Sequence, residues 1–467
     1  MNNEMLFESA KQEMNHAFSK LPIDYFDHKD ASTHLFNNIV RLYDRKEAYS
    51  LETSGHTSIL SNSIDKASSI GFYAGVPWCA MLCSFCDLAY SVSTDTNVRR
   101  KYIEQLLCEI DLLMDLGAAR KNVTSVYFGG GTPTVLDEEM FDQYLSSVIG
   151  KFRLADKSSI SCEASVGTLT HNKMDIMKRN GVTRLSMGVQ SLDNAIRKAA
   201  NMPLSGDEAL AVVKSSLGEF EMINVDLLYG YPEQSNESWL DTVSRVASSG
   251  VPSITLYRLE VRERTVNKKA FIKNRELFGD EMNARWKYFI GKKVLTEYGY
   301  TETPLGWWIK SQGNRSVPSW EQHMRNWTTV TPYIGVGQGA FSQSLDFYYQ
   351  NSKDLKKWSG SIEDGQLPIT TFKALDEKDA FIFRFCRVLR TMQQFNRKLI
   401  ETEIQASGLE RPFNTFLSNN IQWGMLEQSD EASDVFALTD GGKALIHWII
   451  DDFIVSMSDS ERVPQTV

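Results

Sequence analysis

From about residue 70, short apolar runs alternate with longer stretches in which apolar residues recur every three or four positions. The runs Gly71–Val76, Val123–Phe128, Ser159–Glu163, Thr183–Val189, Met222–Leu228 and Ser253–Tyr257 predict strands. Between them, stretches such as Arg99–Leu116, with Ile103, Leu106, Leu107, Ile110 and Leu113 on one face, predict helices. Strands alternating with helices make βα units around a parallel sheet. Successive units with right-handed crossovers curl into a partial barrel, an α/β architecture short of the closed eight-stranded form. Loops at the strand C-termini are where such barrels build their sites.

The flanks read differently. Residues 1–65 form a polar extension with short apolar patches, Leu35-Phe36 and Ile39-Val40, and room for helical pieces. After residue 265 the alternation weakens into an aromatic stretch (Trp307, Trp308, Trp320, Trp327, Tyr333) and a glycine cluster at Gly335, Gly337 and Gly339. Beyond residue 365 the pattern is helical, with Ala380–Leu389 and Arg397–Ala406, and Leu438-Thr439-Asp440-Gly441-Gly442 turns into a last helix. The expected organisation is an extension (1–65), a partial barrel (66–305), a barrel extension and linker (306–365) and a small, mainly helical C-terminal domain of winged-helix shape (366–467).

Composition narrows the function classes. With 42% hydrophobic residues the chain is an ordinary globular protein. A formal charge of −9 without a basic patch argues against nucleic acid as a partner, winged-helix shape notwithstanding. No apolar run is long enough to cross a membrane, since Asp451 and Asp452 interrupt Ala444–Met457. The N-terminus has no basic stretch followed by an apolar one, so a cytoplasmic location, where thiols stay reduced, is expected.

Three of the six cysteines then stand out. Cys79, Cys83 and Cys86 form a C-x₃-C-x₂-C run, the other three lying alone on apolar segments. Three thiolates can hold three corners of a 4Fe–4S cubane and leave the fourth iron open to a ligand. A zinc site would need a fourth ligand, and a disulfide would need an oxidising compartment. Gly-x-Ser-x-Gly, His-Glu-x-x-His and phosphate-cradling loops are absent from the chain.

The spacing resembles that of radical S-adenosylmethionine enzymes. More narrowly, Tyr73-Ala74-Gly75-Val76-Pro77-Trp78-Cys79 is similar to the Tyr-x-His-x-Pro-Phe-Cys segment of the oxygen-independent coproporphyrinogen III oxidase family. The likeness continues in order through Gly129-Gly130-Gly131-Thr132-Pro133-Thr134, Arg184–Gln190, Asn224–Gly230, Gly335–Ser342 and Leu438-Thr439-x-x-Gly442. It implies a 4Fe–4S cluster on Cys79, Cys83 and Cys86. It also implies S-adenosylmethionine contacts, for one or two molecules, from Tyr73, Phe85, Gly130, Gly131, Thr132, Glu163, Gln190, Asp226 and Phe341. The implied chemistry is reductive cleavage of the cofactor to a 5′-deoxyadenosyl radical, fed by a reducing partner such as flavodoxin or ferredoxin. The catalytic residues beyond these are not legible.

Three departures bear on the substrate. Gly75 replaces the family's His, Trp78 its Phe, and Asn201-Met202 its Asn-Arg. Losing a His and an Arg counts against a substrate with four carboxylates. The expectation is therefore methyl transfer or related radical chemistry on a flat aromatic or tetrapyrrole substrate. Coproporphyrinogen III dehydrogenation and haem chaperoning are the alternatives. Leu305-Gly306-Trp307-Trp308 is either a lining for such a substrate or packing at the barrel bottom.

Overall fold

In the computed structural model, the described residues are 2–27, 53–88, 91–263, 265–303, 307–310, 331–429 and 434–458. Leu35-Phe36, Ile39-Val40, Leu305-Gly306, Trp320 and Trp327 lie outside them. Six parallel strands stand where the alternation predicts them: β1 (Ser69–Val76), β2 (Asn122–Gly130), β3 (Leu154–Ser165), β4 (Arg184–Gln190), β5 (Met222–Tyr229) and β6 (Ser253–Arg258). They pair in sequence order, each with the next. Helices between them shield the outer face. Thr96–Asp115, for example, is capped by the Asp95 carboxylate and buries Ile103, Leu106, Ile110 and Leu113. A capping box of Ser205 and Glu208 starts Gly206–Ser216.

The interior of the sheet is polar rather than apolar. Ser161, Ser186, Asn224, Ser253 and Thr255 are all buried there. The Asn224 side chain joins four of its neighbours: it donates to Ser186 Oγ (3.1 Å) and Asp226 Oδ1 (2.8 Å), and its Oδ1 accepts from Ser253 (2.7 Å) and Thr255 (3.0 Å). Buried polar groups persist only when partnered in this way.

The sheet extends beyond the six predicted strands. On one side, with β7 (Tyr300–Thr303) at the edge, β8 (Trp307–Lys310) pairs antiparallel with both β7 and β6; on the other side lie β9 (Tyr333–Val336), β10 (Phe341–Gln343), β11 (Phe347–Asn351) and β12 (Ile369–Ala374). Strand β9 runs parallel to β1, setting Tyr73 opposite Gly335. The aromatic and glycine-rich stretch thus supplies a seventh parallel strand and an antiparallel meander. Trp308 faces the core, whereas the half-buried Trp307 lies under the Arg184 guanidinium, 5.3 Å from its ring centre.

Past β12 the chain is mainly helical, as expected, around a small antiparallel sheet of β13 (Gln394–Asn396), β14 (Leu426–Gln428) and β15 (Val435–Leu438). At the other terminus, helix Asn3–Ala17 packs on helix Glu281–Glu297, held by Glu13 carboxylate bonds to Lys292 (2.6 Å) and Lys293 (2.8 Å). The same helix donates from Arg285 to Ala444 O (2.6 Å), tying barrel and C-terminal helices together. Among the described residues, no helix is long and apolar enough to cross a membrane.

Candidate active site

Strand β1 ends at Val76, and the next residues carry the cysteines. Trp78 is buried against Tyr102, 4.9 Å away edge-on, so the departure from Phe fills core space. The loop that follows is pinned at several points. Cys79 N bonds Ser91 O (3.2 Å), Ser84 N bonds Ala200 O (3.0 Å), and Asn267 N bonds Ser84 O (3.0 Å). Asn201, in the left-handed region (φ 54°), donates its amide to Leu82 O (2.9 Å). Asn201 keeps the family's residue; the departure is its neighbour Met202, which is buried. Asp87, just past the last cysteine, pairs with Arg262 at 2.8 Å.

The three thiols are half-buried and reduced. Burial, reinforced by Cys86 and Glu163 and opposed by the Thr132 hydroxyl, pushes Cys79 up to about 11. Burial, then Cys86 and Cys79, push Cys83 up to about 12. Three thiolates together would repel one another in this site, and a cationic iron centre removes that cost. Among the described residues no three His, Cys, Asp or Glu side chains converge tightly enough for a single ion. A cubane takes each thiolate at a different iron and asks for less convergence. The donor set fits the cluster.

Gly129, Gly130 and Gly131 lie against the cysteine loop. Gly131 N bonds Val76 O (2.6 Å), Thr132 N bonds Trp78 O (2.7 Å), and the Thr132 hydroxyl meets Cys79 Sγ at 3.1 Å. A Cβ on Gly131 would stand 2.2 Å from Trp78 O, and one on Gly130 (φ +105°) 2.4 Å from Val76 O. The close approach they permit is therefore to the backbone of Val76 and Trp78, which leads into the three cysteines. Gly75 is similar in kind: a Cβ there would meet the Tyr73 ring at 2.9 Å.

Inside the mouth, Tyr73 and Tyr127 stack at 6.0 Å, and Tyr127 donates to Glu163 Oε1 (2.8 Å). Burial, against the Tyr127 bond and with Asp226 adding, raises Glu163 to about 7. Asp226 is also raised, again by burial first, with Arg184 opposing. Two half-buried carboxylates near one guanidinium leave acceptor capacity for a ligand's hydroxyl or amino groups. Gln190 adopts φ 68° at a bulge in the β4–β5 pairing. The buried Arg197 guanidinium braces the turn after it, donating to Val189 O (2.8 Å), Ser191 O (2.7 Å), Leu204 O (3.0 Å) and Pro203 O.

Tyr73, Gly130, Glu163 and Asp226 thus share one network, with Gly131 and Thr132 joining it to Cys79. Gln190 ends the neighbouring strand. Phe85 packs into a separate apolar cluster, its ring 5.8 Å from Tyr231. Phe341 stands at the β10 edge, exposed, with its carbonyl over Gly335. Sequence reasoning missed Tyr127, Arg184 and Arg197. The first two occupy inward positions of alternating strands, a signal available but unused; Arg197 carries no local signal.

Comparisons with known proteins agree with this layout. The Radical SAM superfamily model matches residues 73–246. The chain is 24% identical over 390 residues to the heme chaperone HemW of Buchnera aphidicola, covering 82% of this chain and 98% of that one. It is 25% identical over 362 residues to the oxygen-independent coproporphyrinogen III oxidase of Pseudomonas aeruginosa, covering 71% and 76%. The solved coproporphyrinogen III oxidase of Escherichia coli superposes with a TM-score of 0.76 at 20% identity, covering 88% of this chain and 96% of that chain, and so shares the fold. Residues 73–246 are thus a Radical SAM domain, the kind that works with a 4Fe–4S cluster and S-adenosylmethionine, in a chain similar along most of its length to oxygen-independent coproporphyrinogen III oxidase and to HemW.

Proposed function

We propose that the protein turns this site on a tetrapyrrole or similarly flat substrate. Cys79, Cys83 and Cys86 would hold the cluster. Tyr73, Phe85, Gly130, Gly131, Thr132, Glu163, Gln190, Asp226 and Phe341 would contact S-adenosylmethionine. The chemistry supplied there is reductive cleavage of S-adenosylmethionine, giving methionine and a 5′-deoxyadenosyl radical that takes hydrogen from the substrate. The observation that carries the reading is the Thr132–Cys79 contact at 3.1 Å, which joins the carboxylate-lined mouth to the cysteine loop. The half-buried Glu163 and Asp226 side chains would accept from the cofactor and fix its orientation, and the barrel walls would keep water from the radical.

Oxidation of coproporphyrinogen III, the activity the oxidase relatives' name states, is the first outcome to test. Methyl transfer, the expectation from Gly75 and Met202, draws no support from the relatives. Haem carriage is a second reading, favoured by the likeness to HemW along 98% of that protein. An electron carrier such as flavodoxin or ferredoxin belongs to the same proposal. Anaerobically reconstituted protein given reductant should release 5′-deoxyadenosine; an intact cluster without cleavage rules out the enzymatic reading. Carbon dioxide from coproporphyrinogen III supports dehydrogenation, and S-adenosylhomocysteine supports methyl transfer. A stoichiometric haem complex without turnover supports carriage.

A further inference from the structure

Tyr231 lies just beyond the C-terminal end of β5, on the wall facing the cysteine loop. It is 4% exposed, and its hydroxyl is buried with no hydrogen-bond partner. A buried hydroxyl left unpartnered is costly, so such a group signals a partner of another kind. The surroundings say where that partner sits. The Tyr231 ring meets the ring of Phe85, which precedes the third cysteine, edge-on at 5.8 Å. Cys83 and Phe85 pack into the same apolar cluster as Tyr231, with Ile196, Ala200 and Leu259. A phenol is an O–H donor at neutral pH.

A second buried donor without a partner, Asn267 Nδ2, belongs to the residue whose backbone N–H bonds Ser84 O inside the cysteine loop. Two unused donors therefore stand on walls that touch this loop. Neither takes part in the Glu163–Asp226 network.

We infer that the Tyr231 hydroxyl donates a hydrogen bond to a sulfur of the cluster, at the Cys83–Cys86 side, and raises its reduction potential. The inference rests on Cys79, Cys83 and Cys86 holding a 4Fe–4S cluster. A donor aimed at sulfur stabilises the reduced cluster more than the oxidised one, because the reduced form carries one more negative charge, and hydrogen bonds to sulfur are among the main determinants of these potentials. The surrounding apolar residues keep water from supplying the same bond.

The test is Tyr231→Phe, which removes one oxygen and keeps the ring against Phe85. Both proteins are reconstituted anaerobically, their iron and acid-labile sulfide are counted, and the cluster is titrated by electron paramagnetic resonance. At a fixed poise the variant's oxidised-to-reduced ratio should rise about tenfold, or about 59 mV for one electron. A full cluster with a ratio changed less than about twofold overturns the inference. Should the variant not retain its cluster, 3-fluorotyrosine at position 231, a stronger donor, should raise the potential above wild type; an unmoved potential again overturns it. Wild-type protein that takes up no 4Fe–4S cluster would instead refute the reading of the cysteines themselves.

Discussion

Gly131→Ala places a methyl group where the glycine run meets the cysteine loop. The new Cβ would lie 2.2 Å from Trp78 O, 2.6 Å from its carbonyl carbon and 2.9 Å from its nitrogen. All three are backbone atoms, so no side chain can swing aside. The two segments must separate by about 1 Å to reach ordinary contact. That stretches Gly131 N to Val76 O from 2.6 Å and Thr132 N to Trp78 O from 2.7 Å beyond bonding range. Each lost bond costs about 1 kcal/mol, and overpacking a filled site adds about 1–3 kcal/mol. The expected total is about 3–5 kcal/mol. Urea unfolding of the cluster-free protein measures it, with Gly150→Ala as control, since a Cβ there meets nothing within 4 Å. The control should change stability by less than about 1 kcal/mol. Because Thr132 moves with Gly131, the variant should also retain less iron after reconstitution. Equal midpoints for the two variants, with full iron in both, would refute the reasoning.

Glu281→Ala removes the carboxylate shared by the buried Arg258 and Arg285, and should cost about 3–5 kcal/mol by leaving two buried cations unpaired, read by the same unfolding assay; a loss under about 1 kcal/mol would contradict it. Glu109 accepts from Gly337 N (2.9 Å), Trp358 Nε1 (3.0 Å) and Asn351 Nδ2 (2.6 Å), yet burial outweighs these donors and raises it to about 8. The folded protein therefore keeps a proton that the unfolded chain releases above about pH 4.5, so this contribution to stability is full in acid and falls as pH rises toward 8. Glu109→Gln should flatten that slope, at most about 1.4 kcal/mol per pH unit, and an unchanged slope would count against it. Cys83→Ala should abolish cluster uptake and cofactor cleavage while leaving circular dichroism unchanged; iron content at the wild-type level would reject Cys83 as a ligand. Glu163→Gln should weaken S-adenosylmethionine binding by roughly tenfold or more in equilibrium dialysis, the worth of a charged hydrogen bond, and unaltered affinity would remove Glu163 from the site.

What could be read before folding was local. Six strands, the helix Thr96–Asp115 and the cysteine spacing each announce themselves within a window of a few to twenty residues, through side-chain period or ligand chemistry. The polar inward positions, Tyr127, Arg184 and Asn224, were equally local, but they interrupt the apolar pattern and read as noise until the strands are closed around them.

The rest depended on pairings between distant segments. Strand β9 has four residues and no alternation to mark it, and its place beside β1 joins Gly71 to Tyr333 across the whole barrel. The glycine run is conspicuous in sequence as a possible ligand loop; that its missing side chains make room for Val76 and Trp78 appears only when β1 and β2 lie in register. Tyr231 has no motif at all. Its hydroxyl acquires meaning because the β5 end and the cysteine loop are folded against each other, burying a donor where water cannot reach it and sulfur can. Periodicity and residue chemistry act between near neighbours along the chain, and so the cysteines identified the cofactor. Burial, register and the partnering of polar groups arise from contacts between remote segments, and those contacts set what surrounds the three thiols.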